Sequence, residues 1–265
     1  MTGLYAEHAD LYDLAFDWDV GEEVAWLQGR LGPGCRSVLE PGCGSGRMLA
    51  AFAARGLEAV GIDRSAPMLA LARARLETAG LDARLVLGDM ADFDLGRPVD
   101  GAVCPINTLS HLAPAEVGRH LACVGRHLAP GARYLVQVAV RDAAAEPQPL
   151  WSSAWRAERD GVALDVRWAT ESVDLRAGRE RHRSRIAIRG GPRDGELVEE
   201  VHEMTAWTVE SWEATIAASP FWRTAVFDGG DDRRPEVAAT AAGGLLWHAL
   251  TRLPAAPGEP AAADG

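Results

Sequence analysis

The stretch Val38-Leu39-Glu40-Pro41-Gly42-Cys43-Gly44-Ser45-Gly46-Arg47 decides the fold. A short apolar run from Arg36 to Glu40 reads as a buried strand. Three glycines then alternate with small residues, and a helical pattern runs from about Ser45 to Arg55, where Gly56 stops it. Glycines let backbone amides approach a ligand without side-chain obstruction, and a helix N-terminus presents N–H groups that lack intrahelical partners. A dinucleotide fingerprint calls for G-x-G-x-x-G. Here the glycines run G-x-G-x-G, and Arg47 stands in the third-glycine place. The acidic Glu40 ahead of the turn suits a cationic or ammonium-bearing ligand better than a pyrophosphate.

Outward from this turn, strands and helices alternate. Glu58–Asp63 reads as a second strand. Ser65 caps a helix whose stripe is Met68, Leu69, Ala72 and Leu76, ended by Gly80. Ala83–Leu87 and Asp100–Cys104 read as strands three and four. Val117, Leu121, Val124 and Leu128 form a helical stripe stopped by Pro130-Gly131, leaving His120 and His127 facing solvent, and Tyr134–Val140 is a fifth strand. Such alternation with apolar strands implies a parallel sheet covered on both faces. After a linker at 142–149 the period changes to two: Val162, Leu164, Val166 and Trp168 alternate with polar residues, as do Arg179, Arg181, Arg183, Arg185 and Arg189 with their neighbours. With a turn at Gly190–Gly195 and a strand at Leu197–Thr205, this predicts an antiparallel, half-exposed sheet. The arginines are expected on its wet face, paired with Glu196, Glu199 and Glu200. A helix at Val209–Ala218 and strands near Thr224–Phe227 and Gly244–Leu250 resume the first pattern.

The 265 residues carry 38 acidic and 27 basic side chains, a formal charge of -11, which argues against nucleic-acid binding. Every basic residue is arginine, so a Schiff-base, pyridoxal-phosphate or P-loop lysine is impossible. No apolar run is long enough to suggest a membrane span, and no basic leader pattern opens the chain. Four scattered cysteines without a CxxC pair suggest a reducing cytoplasm and neither a disulfide framework nor a metal site.

The glycine turn with Glu40 resembles the signature of class I S-adenosylmethionine-dependent methyltransferases, of the type acting on small molecules. Gly61-Ile62-Asp63-Arg64-Ser65 with Met68 looks like the family's second-strand end, and Gly88-Asp89-Met90 like its adenine-binding turn. Cys104–Leu112 looks like the loop beside the methyl donor, and His127–Gly131 like the lead into the fifth strand. The resemblance covers residues 1–140 well and 207–250 loosely. It implies a Rossmann-like α/β fold with a seven-stranded, mostly parallel sheet flanked by helices and an inserted antiparallel β lid. It also implies S-adenosylmethionine as cofactor, with S-adenosylhomocysteine as product. The cofactor-binding set would be Tyr5, Glu40, Gly42, Cys43, Gly44, Gly46, Asp63 (ribose hydroxyls), Arg64, Met68, Asp89 (exocyclic amine), Met90 (adenine face), Pro105 and Ile106.

The catalytic candidates are His111, Tyr12 and His202. His111 follows the fourth strand, where the family brings a substrate-side residue. Tyr5 and Tyr12 resemble a lid that closes over the donor, and an aromatic face suits a sulfonium; both rings equally suit packing within an amphipathic helix. His182 and His202 lie on facing strands of the insert, where one register of the ladder would pair them. The expected organisation is N-terminal lid helices at 1–30, a cofactor domain at 31–142 and 207–253, the insert at 143–206 and a disordered tail at 254–265. The expected activity is N- or O-methylation of a small molecule of secondary metabolism by a monomer or homodimer without nucleic-acid or membrane partners. Open beside it are a non-methyl reaction such as cyclisation, an NAD-dependent oxidoreductase, and a non-enzymatic binding module.

Overall fold

The computed structural model describes residues 3–254; the expected tail beyond Pro254 lies outside them. Seven strands of four or more residues, and two of two residues each, form one sheet. In chain order its long strands are β1 (Ser37–Pro41), β2 (Glu58–Asp63), β3 (Arg84–Leu87), β4 (Val99–Cys104), β5 (Leu128–Arg141), β11 (Phe221–Asp228) and β13 (Gly244–Arg252). The two-residue strands are β10 (Trp207–Thr208), which pairs with β5, and β12 (Glu236–Val237). The spatial order is β12-β11-β13-β5-β4-β1-β2-β3, parallel from β5 through β3, with β13 antiparallel to both β5 and β11.

Alternation along β1 sends Val38 to one face and Leu39 to the other. Val38 joins a core with Val24 and Leu27 of helix α2 (Gly21–Leu31) and with Leu49 and Phe52 of helix α3 (Arg47–Ala54). Leu39 joins the opposite core with Val117, Leu121 and Val124 of helix α5 (Pro114–Arg126), and with Trp212 and Ile216 of helix α6 (Val209–Ala217). Helix α4 (Ala66–Ala79) begins at Ser65, whose hydroxyl accepts the N–H of Met68 at 3.3 Å, and ends at Gly80 in the left-handed region; its expected stripe is buried.

Helix α5 departs from expectation. It ends at Arg126, and Leu128 through Gly131 already belong to β5, because Val99 N–H donates to the carbonyl of His127 and draws the chain into the sheet. His120 and His127 are buried, not solvent-facing. His120 Nδ1 lies 2.7 Å from the Met90 carbonyl and its Nε2 2.7 Å from the Tyr134 hydroxyl; His127 Nδ1 lies 2.9 Å from the Cys123 carbonyl. Residue 120 is three positions after Val117 and four before Val124, so it shares their face.

A second, antiparallel sheet has the order β6 (Ser152–Arg159), β7 (Val162–Asp174), β8 (Arg179–Arg189) and β9 (Leu197–Thr205). Leu164, Val166, Ile186 and Ile188 on its inner face pack against Leu4 and against Leu11, Leu14 and Ala15 of helix α1 (Ala9–Ala15). Trp155 Nε1–H donates to the Ala15 carbonyl at 2.6 Å, and Asp13 bridges Arg75 of α4 and Arg159 of β6. The N-terminal segment is thus fastened to both sheets. The arginines of β8 do lie on the outer face, and one expected partner, Glu199, is found there, whereas the others differ. Arg183 pairs with Glu171 of β7, Arg185 with Glu199 and Arg189 with Asp165. Glu196 pairs with Arg193 within the turn, and Glu200, one residue on from Glu199, points to the inner face, where it accepts the N–H of Leu4.

Candidate functional site

The glycine turn lies at the C-terminal end of β1, between β2 and β4, where open α/β sheets hold their ligands. Gly42 and Gly46 both have left-handed backbones, with φ of +72° and +74°. A Cβ on Gly42 would stand 2.6 Å from Cγ2 of Thr108, and one on Gly46 2.8 Å from Cβ of Ala72, so the turn is packed too closely for any other residue. Gly42 and Cys43 N–H both donate to the Ile62 carbonyl. The Cys43 side chain is buried toward Gly61 and away from the recess, so Cys43 adds shape and no thiol chemistry.

Asp63 ends β2. Its carboxylate accepts the N–H of Gly44 and of Ser65, each at 2.8 Å, which joins the turn to the start of α4. Burial raises its pKa against those two bonds. Asp89 is exposed and accepts Ala91 N–H at 2.8 Å; the sulfur of Met90 lies 3.6 Å from where a Gly42 Cβ would be, so this second turn reaches the first. Met68 is buried beneath the start of α4, and Arg64 is exposed at the rim. Pro105, Ile106 and Thr108 form a wall of the recess with Gly42–Ser45, Tyr12 and Glu40. Ile106 and Asn107 take left-handed backbones, held by the side chain of Gln137, which accepts Ile106 N–H at 2.7 Å, and by that of Asn107, which accepts Ala139 N–H at 2.9 Å.

Above the recess the structure brings together Tyr5, Tyr12, His111 and His202. The Tyr5 ring lies 5.3 Å from Tyr12, 5.4 Å from His111 and 5.8 Å from His202, centroid to centroid. Tyr12 stacks on Phe16 and comes within contact of Gly44. His202 stacks on Trp168 at 4.4 Å and its Nε2 lies 2.9 Å from Ser184 Oγ. His182 sits directly opposite His202 in the ladder, the register that pairs them. Burial, with His111 and His182 nearby, lowers the pKa of His202 to about 4. The His111 ring remains open to solvent on one side, yet the enclosing walls, Arg64 and His182 hold it below the ordinary imidazole range. Both imidazoles are therefore neutral at pH 7 and able to accept a proton. Burial raises Tyr12 to about 12, so its hydroxyl stays protonated.

The sequence pattern of a family described as "Methyltransferase domain" matches residues 38–131. A dTDP-3-amino-3,4,6-trideoxy-alpha-D-glucopyranose N,N-dimethyltransferase of Streptomyces venezuelae is 29% identical over 86% of this chain and 95% of its own length. The crystal structure of Streptomyces venezuelae DesVI superposes with a TM-score of 0.75 at 25% identity, covering 94% of this chain and 99% of that one. Residues 38–131 thus carry a methyltransferase domain, and these likenesses support a class I S-adenosylmethionine-dependent small-molecule methyltransferase. A dTDP-4-amino-2,3,4,6-tetradeoxy-D-glucose N,N-dimethyltransferase of Saccharopolyspora spinosa is 32% identical over 44% of the chain, and there the match spans about half the relative's length, 51%.

The cofactor of this family is S-adenosylmethionine, and the residues present fit it. The recess offers a cradle that only glycine can form, an acid joined to it, and a buried carboxylate with an unpartnered oxygen: Glu40 is 3% exposed, and its Oε2 has no hydrogen-bond partner. Burial lifts its pKa to about 8 despite Arg47. An ammonium group placed there would meet the acceptor it needs. The sequence reading assigns no role to residues that support this recess and its roof: Thr108, Asn107 and Arg47, which lie within the motifs quoted above, and Gln137 and Ser184. Gln137 gave one signal, a single amide within the apolar run Leu135–Val140.

Proposed function

We propose that this methyltransferase transfers methyl groups to the amino nitrogen of a nucleotide-activated amino sugar. Three observations support the reading. The relatives matched are named as N,N-dimethyltransferases of dTDP-amino sugars, one of them along nearly its whole length. The likeness to DesVI covers 94% of this chain and 99% of that one. The observation that carries it is the roof: two neutral imidazoles and two tyrosines gathered over the glycine cradle, from four separate elements.

When bound, S-adenosylmethionine supplies an electrophilic methyl group on a sulfonium sulfur. The chain's part is positioning and proton removal. The glycine turn, Glu40, Asp63, Asp89 with Met90, and Pro105 with Ile106 would hold the donor. Holding an amine nitrogen in line with the methyl can supply ~7–11 kcal/mol of the barrier. His111 or His202, being neutral, would take the proton that the nitrogen sheds as the C–N bond forms, and the Tyr5 hydroxyl, 3.3 Å from His111 Nε2, would orient that ring. Residues 1–30 and 143–206 would act as the lid. All four thiols are free, which suits the reducing cytoplasm proposed as its compartment.

Incubation with S-adenosylmethionine and a panel of dTDP-amino sugars tests this. Mass spectrometry should show one or two methyl increments on the sugar, with matching S-adenosylhomocysteine. Turnover only with hydroxyl acceptors, or loss of donor without methylated product, would overturn it.

A further inference from the structure

Residues 90–95 form a loop held within itself by one tight turn, Asp92 N–H to the Asp89 carbonyl. Its place in the molecule is set from outside, by α5. Three polar side chains of that helix, His120, Cys123 and the C-cap His127, stand three and four positions apart and so share one face. Each meets the backbone of the loop. His120 Nδ1 lies 2.7 Å from the Met90 carbonyl. Cys123 Sγ takes the Phe93 N–H and gives its own hydrogen to the Phe93 carbonyl, each at 3.3 Å, and Leu95 N–H donates to His127 Nε2 at 3.2 Å. Met90, the residue that His120 holds, is also the one whose sulfur reaches the glycine turn. The direction of the His120 bonds follows from chemistry. A carbonyl can only accept, so Nδ1 carries the ring proton. Burial lowers the imidazole to about 4 and keeps it neutral, so Nε2 accepts the Tyr134 hydroxyl at 2.7 Å. Tyr134 is fully buried on β5, and one ring thereby ties Met90 to the central sheet.

We propose that His120 is a positioning residue for base recognition: by tying the Met90 carbonyl to Tyr134 it sets where Asp89 and Met90 stand, and so sets the preference for adenine over other purines. The inference rests on the proposed placing of the donor's adenine at Asp89 and Met90 and goes beyond it, to a residue outside the recess. A neutral histidine suits this post, because its donor and acceptor are fixed on one rigid ring. The Asp89 carboxylate tells an amine from a carbonyl only when it is well aligned, since a hydrogen bond weakens steeply as its angle closes. A turn free to drift would still cover a purine ring but would lose that distinction.

The test compares two ligands that differ in the purine: S-adenosylhomocysteine, with the exocyclic amine, and S-inosylhomocysteine, with a carbonyl in its place. Calorimetry on the full chain gives the ratio of the two affinities, and thermal melting gives the stability of each variant. The wild type should prefer S-adenosylhomocysteine about tenfold or more, the worth of one hydrogen bond to a charged acceptor. His120→Leu keeps bulk without polar atoms and should shrink that ratio about threefold or more, whereas His120→Asn, whose amide can donate to the Met90 carbonyl, should recover most of it. Tyr134→Phe removes the hydroxyl that orients the ring and should shrink the ratio about twofold. Leu121→Ala truncates a buried neighbour on the same helix; it should lower the melting temperature and leave the ratio as in the wild type, which separates positioning from general loosening. A folded His120→Leu protein with the wild-type ratio would overturn the proposal, as would an equal shrinkage in Leu121→Ala. Should His120→Leu not fold, an unchanged ratio in Tyr134→Phe overturns it. A wild type that binds both ligands equally would instead overturn the placing of adenine at Asp89, and this inference with it. A wild type that binds neither would overturn the recess as the donor site.

Discussion

Tyr5 Oη lies 3.3 Å from Nε2 of His111, although 106 positions separate them in the chain. The contact exists because Glu200 holds the backbone at Leu4 and Ser65 Oγ donates to the Tyr5 carbonyl, pinning the N-terminal segment between the two sheets. Burial and Arg64 keep His111 neutral, so in the proposed mechanism it is able to take the proton. Replacement His111→Ala is expected to lower kcat by roughly 10²–10⁴-fold. Binding of S-adenosylhomocysteine in a calorimeter should barely change. Full turnover by that variant would remove His111 from the chemistry.

Gly42 has no room for a methyl group, given the 2.6 Å approach to Thr108 Cγ2 and a φ of +72°. Gly42→Ala should therefore lower both the melting temperature and donor affinity. Thr108→Ser removes the clashing carbon, so the double variant should regain the steric share of the loss but not the backbone share. A double-mutant cycle with no coupling between the two sites would count against this packing.

Asp63 serves twice, accepting Gly44 and Ser65 N–H and, in the proposed site, the ribose hydroxyls. Asp63→Asn keeps the shape and loses the charge. It should cost about 1.5–3 kcal/mol in donor binding, seen in titrations with S-adenosylhomocysteine. Unaltered affinity in a folded Asp63→Asn protein would contradict the assignment.

Stability should vary with pH in two opposed ways. Burial lowers His120 and His202 to about 4 and His248 to about 3. Unfolded histidines take up protons near 6.5. Their contribution is thus fully present above about pH 6.5 and is lost as pH falls toward 4 and then 3. Burial raises Glu40 to about 8, so its contribution is present below the ordinary carboxylate range and is lost as pH rises through 8. Urea midpoints should fall on acidification from pH 6.5, and Glu40→Gln should lessen any decline between pH 6.5 and 8. Identical pH profiles for Glu40→Gln and wild type would refute the Glu40 part.

Much of this was legible in the sequence because it is local. The bounds of β2 and β9 match their apolar periods, and Ser65 and Gly80 cap α4 as their side chains dictate. The facing strands and the turn between them left a His182–His202 pairing open, and the ladder adopts it. The end of α5 was not legible. No glycine marks it, and the true stop at His127 depends on a hydrogen bond from Val99 on a neighbouring strand. His120 was misread because a histidine counts as polar in a periodicity, whereas the Met90 carbonyl and Tyr134 hydroxyl make it a core residue. The outward arginines were legible, and so was Glu199 as a partner, but the pairs with Glu171 and Asp165 were not, since the cross-strand neighbours on β7 were as near as those on β9.

Everything proposed for the site rests on a nucleoside cradle at Gly42, Gly44 and Gly46. Equilibrium titration of the purified chain with S-adenosylhomocysteine, and separately with NAD, tests it most directly. Saturable one-to-one binding of the first, abolished in Gly44→Val, with none of the second, is the expected result. Binding of NAD in its place, or a Gly44→Val protein that still binds S-adenosylhomocysteine like the wild type, would contradict it.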